Sequence, residues 1–316
     1  MNGAGKLVNG ENYLAADPTA LVEHRWRISE GMKGFLFVAP SLVLLFAFAA
    51  YPLASSLWLS LQEVEVFSNQ HQFVGLRNYS ELLSSSDFWS SLWKGLVFSV
   101  ATVALQLLAG IGTALLLNNA FAGRALVRGL ILFPFVVPTI VAILIWKWML
   151  NDLYGIVNLF LLKAGVIHEG IAWLGSPGLA MASVIVVNVW MFFPFITIQV
   201  LARLQVIPVE LYEAARVDGA GALQRFRYVV LPELRSTILL VVFIRGLWMF
   251  NKFDTIWLLT QGGPVGRTQT LPILAYLKAF QEYQLGAGAA ASACIFMLLA
   301  LFGLWYTRAM RRGMLQ

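Results

Sequence analysis

The amino-acid sequence predicts an all-α, polytopic integral membrane protein with six transmembrane helices. Three observations carry that prediction. The 316 residues are 59% hydrophobic and only 12% charged, with a mean hydropathy of +0.75, more apolar surface than a soluble domain can keep from water. The apolar residues gather into runs long enough to cross a hydrocarbon core of about 30 Å, which takes roughly 20 residues as a helix. No stretch between those runs is long enough for a separate soluble domain.

Residues 1–33 are polar and charged and are expected to form a cytoplasmic tail. Within them Gly3–Leu7, GAGKL, superficially offers a phosphate loop. That loop needs a glycine, four residues, then Gly-Lys-Ser/Thr at a strand-to-helix turn, and Leu7 stands where the hydroxyl belongs. The first span, 35–61, exceeds the apolar core of a cleavable signal and is expected to be retained. Spans 92–118 and 125–149 are separated only by a few residues around Phe121 to Arg124, which predicts an antiparallel pair. Spans 178–202, 236–260 and 286–307 follow, so that 34–308 forms one six-helix domain with a short cytoplasmic tail at 309–316. Basic residues collect on the side of the amino terminus, including Arg124, Arg128, Arg203, Arg216, Arg225, Arg227 and Arg235. The positive-inside rule therefore puts both termini, and the segment 203–235, in the cytoplasm.

Several functions are excluded. The single cysteine, Cys294, lies inside the last run and supplies neither a disulfide framework nor a metal cluster. His24, His71 and His168 lie far apart outside the apolar runs, so no zinc site or proton relay is expected. The net charge of +6 reads as membrane orientation rather than as a nucleic-acid partner. No nucleophile triad assembles, and the chain is not expected to be an enzyme.

One polar stretch interrupts the apolar runs: PVELYEAARVDGAGALQRFRYVVLPEL, Pro208 to Leu234. Pro208 suits a helix start, Glu210 and Glu213 put negative charge in the first turns, and Gly219 is a natural stop. The helix of about ten residues is roughly 15 Å long, too short to span. Leu211, Ala214 and Ala215 share one face. Gly219 and Gly221 permit a reversal into a second amphipathic segment, which Pro232 is expected to end. Physically this is equally a helix lying in the headgroup layer. The residues Glu213, Ala214, Ala215, Asp218, Gly219, Ala220, Phe226, Leu231 and Pro232, however, resemble the EAA motif of importer-type ATP-binding cassette permeases. Valines at 229 and 230, and Glu233, depart from the usual residues without shifting the frame. The resemblance implies a type I importer fold in which this short helix couples the permease to an ATPase subunit through Glu213, Ala214, Ala215, Asp218 and Gly219.

Polar residues also occur at membrane depth. Arg245 lies about nine residues, or roughly 14 Å, into the fifth span, where a bare cation costs a few kcal/mol and should face a cavity or a partner. Met249 and Lys252 follow at i+4 and i+7 on the same stripe. Asn188 leads a second stripe with Met191, Phe192, Phe195 and Gln199. Alternatives stand beside a ligand role: Asn188 or Gln199 bonding across a helix interface, the phenylalanines packing, Lys252 snorkelling outward, and Arg245 pairing with Asp254 or a carboxylate of another subunit.

FPFVVPTIVAILIWKWML around Pro134 and Pro138, GIVN at Gly155–Asn158 and FNKFDTIWLLTQGGP at Phe250–Pro264 are similar to the sugar-importing branch of those permeases, and to its maltose-type first subunit in particular. By that resemblance the sugar contacts fall on Phe135 and Thr139, on Met191, Phe192 and Phe195, and on Arg245, Met249 and Lys252. Asn188 joins them from the periodicity. Several of these side chains differ from the maltose type, and two cations on one stripe suggest an anionic sugar or glycoside, sulfonated or phosphorylated for example. The resemblance further implies a second homologous permease, a pair of ATPase subunits that bind ATP and magnesium, and an extracytoplasmic solute-binding protein. No cofactor is expected in this chain. It implies a multi-pass place in a bacterial inner membrane. The rival class is an ion-coupled secondary sugar transporter, which also needs polar residues at midplane.

Overall fold

A computed structural model describes residues 29–65 and 70–314. GAGKL, His24 and most of the expected tail 1–33 lie outside the described residues. By internal contacts the chain divides at Pro52 and Leu53 into two units. The smaller contains α1 (Glu30–Leu45), capped by the Ser29 hydroxyl accepting from Met32 N–H at 3.2 Å, and a π-helical turn at Phe46–Ala50. Its apolar side chains are exposed.

The larger unit is mostly helical. It opens with most of α2 (Tyr51–Leu59), then a hairpin of β1 (Gln62–Glu65) and β2 (Gln70–Phe73), antiparallel with Gln62 opposite Phe73, and the short α3 (Arg77–Ser84). The all-α expectation did not include this hairpin. Asn78 on α3 ties it down, donating to the carbonyls of Ser60 and Gln62, both at 2.9 Å. The remaining helices are α4 (Ser86–Asn118), α5 (Arg124–Val136), α6 (Thr139–Met149), α7 (Ile156–Lys163), α8 (Ala180–Leu204), α9 (Val209–Val217), α10 (Ala222–Arg225), α11 (Leu231–Phe250), α12 (Asp254–Thr260), α13 (Leu271–Tyr276) and α14 (Leu285–Met314).

Four helical segments are long and apolar enough to cross a bilayer: Gly31–Leu59, Ser86–Asn118, Ala180–Leu204 and Leu285–Arg311. The expected span 125–149 is two helices, α5 and α6, meeting at 96°; counted together they make a fifth. Pro138 causes the bend, because the residue before a proline avoids the helical region, and Val137 is extended at φ −66°, ψ 133°. The expected span 236–260 also breaks, at Asn251–Phe253, between α11 and α12. The 20 residues of α11 reach about 30 Å, and its charged residues Glu233, Arg235 and Arg245 are spread so that every stretch of 18 contains all three. The last candidate span is Leu285–Arg311, and its helix α14 runs on through Met314.

α4 and α5 do not form the expected antiparallel pair. Each packs chiefly on α8. The crossing of α4 over α8 is close because Gly110 has no side chain: a Cβ there would sit 2.7 Å from Ile196 Cβ. Thr113 and Thr197 share a hydrogen bond of 2.6 Å beside it. Such small-residue approaches are the usual means of packing helices in lipid.

Candidate functional site

Three helices converge on Arg245. Its helix α11 turns the residue wholly inward, and at 0% exposure it is the largest fully buried side chain among the described residues. The guanidinium donates from Nε to Gln106 Oε1 on α4 at 3.0 Å and from Nη2 to Met249 Sδ at 3.7 Å. Phe192 and Phe195 of α8 and Trp248 of α11 present their rings to it, with centroids 4.7, 5.9 and 5.5 Å from Cζ. Phe135 of α5 extends the aromatic wall, 6.5 Å from Phe192 and 6.0 Å from Phe195.

Magnitudes show how a cation persists there. An arginine at mid-membrane costs about 3 kcal/mol on insertion scales. One hydrogen bond to a charged group returns about 1.5–3 kcal/mol, and each desolvated ring face about 1–2 kcal/mol. The bond and a single ring face together already offset that cost with no carboxylate. The alternative pairing of Arg245 with Asp254 does not occur: Asp254 binds Lys252, Oδ1 to Nζ at 2.9 Å. Lys252 Nζ also lies 4.7 Å from the Phe192 ring centre. The two cations of the stripe are therefore unequal. Lys252 is neutralised by Asp254, and Arg245 has no such partner among the described residues.

Asn188 is fully buried, donates to Val184 O in its own helix at 3.0 Å, and its Oδ1 has no partner among the described residues. Met191 and Met249 are buried in the core cluster. Phe192, Phe195 and Lys252 are half-buried and Phe135 is exposed. Thr139, half-buried at the first position of α6, is not brought into the polar cluster by any hydrogen bond. Two residues of the site escaped sequence reasoning. Trp248, at i+3 from Arg245, carried the same periodic signal as Met249. Gln106 carried a weaker one, a lone amide in an apolar run.

The second cluster is the loop between α8 and α11. α9 starts after Pro208 and ends at Asp218, and Gly219 follows at φ +75°. Glu213, Ala214, Asp218 and Gly219 are exposed and Ala215 is half-buried, so they form an outward surface. Pro232 does not end the second segment. A π-helical turn at Phe226–Val230 joins α10 to α11, and Pro232 lies in the first turn of α11, where its missing N–H costs nothing. Glu233, the residue atypical of the motif, clasps the base of the loop: Arg203 Nη2 meets its Oε2 at 2.5 Å and Arg203 Nε its carbonyl at 3.0 Å.

Residues 106–316 match the protein family described as binding-protein-dependent transport system inner membrane component. The chain belongs to that family. It is thus a membrane-embedded permease of the ATP-binding cassette importers, and the loop with Glu213 to Gly219 falls inside the matched region. Among its relatives, the trehalose/maltose transport system permease protein MalF of Thermococcus litoralis is 36% identical over 285 residues, covering 89% of this chain and 95% of its own. The sulfoquinovosyl glycerol transport system permease protein SmoG of Agrobacterium fabrum is 32% identical over 289 residues, covering 91% and 93%. A permease chain in the crystal structure of a bacterial alginate ABC transporter bound to its periplasmic protein shares the fold, with a TM-score of 0.79 at 21% identity over 90% of this chain and 96% of that one.

Proposed function

We propose that this permease imports a carbohydrate bearing an anionic group. It acts with a second homologous permease, an ATPase pair docked on the surface of Glu213, Ala214, Ala215, Asp218 and Gly219, and a solute-binding protein on the opposite face, with both termini cytoplasmic. ATP and magnesium belong to the ATPase. Relatives named for trehalose, maltose and a sulfonated glycoside support the sugar class. One observation carries the anionic part: among the described residues the buried guanidinium of Arg245 has no carboxylate partner, whereas Lys252 beside it has one. Sulfonate, phosphate and carboxylate oxygens match a guanidinium fork. In the observed state the aromatic rings cover Arg245, so a ligand reaches it only as Phe192, Phe195 and Trp248 part.

The test is uptake by the reconstituted complex of matched glycoside pairs, each a sulfonated, phosphorylated or carboxylated member and its uncharged parent. Wild type is expected to prefer one anionic member, to need ATP and to tolerate a protonophore. Arg245→Ala is expected to lose that preference while the subunits still co-purify. Preference for uncharged parents throughout would overturn the anionic reading. Uptake by this polypeptide alone on an ion gradient would establish a secondary transporter instead.

A further inference from the structure

Gln106 holds a position that no motif assigns. It is fully buried on α4, and both ends of its amide are spent on other helices. Its Nε2 donates to the backbone carbonyl of Asn188 on α8 at 3.0 Å, and its Oε1 accepts from Arg245 Nε on α11 at 3.0 Å. The two bonds fix the amide's orientation together. Turned over, the amide would oppose N–H to N–H at Arg245 and oxygen to oxygen at Asn188, so neither end can reverse without losing both contacts.

The consequence for Arg245 is specific. Its Nε is anchored to a strong acceptor, while its Nη2 rests on a thioether sulfur at 3.7 Å, a weak acceptor that costs little to give up. The guanidinium is held at its pivot and left under-satisfied along its outer edge. A carboxylate at 106 would anchor the same nitrogen and cancel the charge as well. The amide anchors without neutralising. Asn188 Oδ1, also buried and without a partner, marks the same junction as incompletely satisfied, the condition of a site that completes its bonding with something else.

We propose that Gln106 is the positioning residue that aims Arg245 and keeps its charge available to an anionic ligand. The inference rests on the reading of Arg245 above and adds to it the device that makes the arginine selective.

Two substitutions test it in the reconstituted complex. Gln106→Glu keeps the size and supplies a counter-ion. Gln106→Met keeps the length and removes both hydrogen bonds. The readout is the ratio of KM values for the anionic glycoside that wild type favours and its uncharged parent, measured in the same vesicles. A merely structural loss would move both values together and leave that ratio alone. Gln106→Glu is expected to raise KM for the anionic member by about tenfold or more, the size of one lost charge-assisted contact, with KM for the parent changing less than threefold. Gln106→Met is expected to shift the ratio in the same direction by a smaller factor, and it decides the matter if the glutamate variant does not assemble. A ratio unchanged within twofold in the assembled variants would overturn the inference and leave the anionic reading standing. If wild type favours no anionic member, both fall together.

Discussion

Gly219 allows the proposed coupling role of the α9 loop to be tested through its backbone alone. Its φ is +75°, and a Cβ built on it would meet no atom within 4 Å. Substitution there creates no clash inside the chain, so any cost is conformational. Holding an L-residue in the left-handed region costs about 1–2 kcal/mol, which shifts a local two-state equilibrium by roughly 5–30-fold. Asparagine tolerates that region better than alanine, and a β-branched residue tolerates it worst. The expected order of damage is therefore Gly219→Asn, then Gly219→Ala, then Gly219→Val. The assay is ATP-driven uptake together with substrate-stimulated ATP hydrolysis in the reconstituted complex, with membrane insertion as the control. Both activities should fall in that order while insertion is unchanged. If Gly219→Asn is as damaging as Gly219→Val, the cause is crowding at the docking surface and the backbone argument is wrong.

Tyr212, on α9, has its phenol raised above the ordinary value by burial, with the charge of Glu233 adding to the effect. A raised phenol stabilises the folded loop below its unfolded value of about 10 and loses that contribution as pH climbs through the folded value; Tyr212→Phe should therefore blunt the alkaline loss of loop protection measured by limited proteolysis between pH 9 and 11. Asn158 is buried and bonds Asp152 O at 3.1 Å, Ile171 O at 2.9 Å and Trp173 Nε1 at 2.8 Å. Asn158→Ala strands several polar groups and should cost about 2–3 kcal/mol, seen as a lower midpoint of thermal unfolding, whereas an unchanged midpoint would show that water replaces the network. Arg203→Ala opens the clasp to Glu233, whose side chains are 36% and 34% exposed. It should cost no more than about 1 kcal/mol of stability and lower the uptake obtained per ATP hydrolysed.

What was legible in the sequence was what depends on local spacing. The short helix α9 and its turn show themselves because a proline, early acids and a glycine are signals a few residues apart. The stripes through Arg245 and Asn188 show themselves because helical period alone puts i, i+3, i+4 and i+7 together. The rest depends on contacts that spacing cannot reach. Gln106 meets Asn188 across 82 positions and Arg245 across 139, and nothing near it announces either partner. The pairing of Lys252 with Asp254 follows from the break at Asn251–Phe253, which takes the chain out of the helix that the apolar run appeared to continue. The bend at Pro138 was in plain view, but an apolar run containing a proline is compatible with both a straight and a broken span. Pro232 misled for a similar reason: it closes one helix or opens the next according to what precedes it, and here a π-helical turn carries the chain through.

The two clusters belong to one frame. α8 and α11 carry the rings and the arginine, and they are the two helices that the α9 loop joins. Ala114, Ile196, Val200, Leu204, Ile207, Val230, Leu234 and Val241 pack into a single apolar cluster between the loop and the site, and the Arg203–Glu233 clasp ties the end of α8 to the start of α11. A close-packed interior is stiff and passes displacement on instead of absorbing it. A force on α9 is thereby directed along α8 and α11 towards the level of Gln106, whose amide is the hydrogen-bonded tie between them at that depth. Any separation of α8 from α11 must stretch one of its two bonds. That places this tie beside the only buried cation of the described residues, where a change in helix spacing becomes a change in what Arg245 can reach.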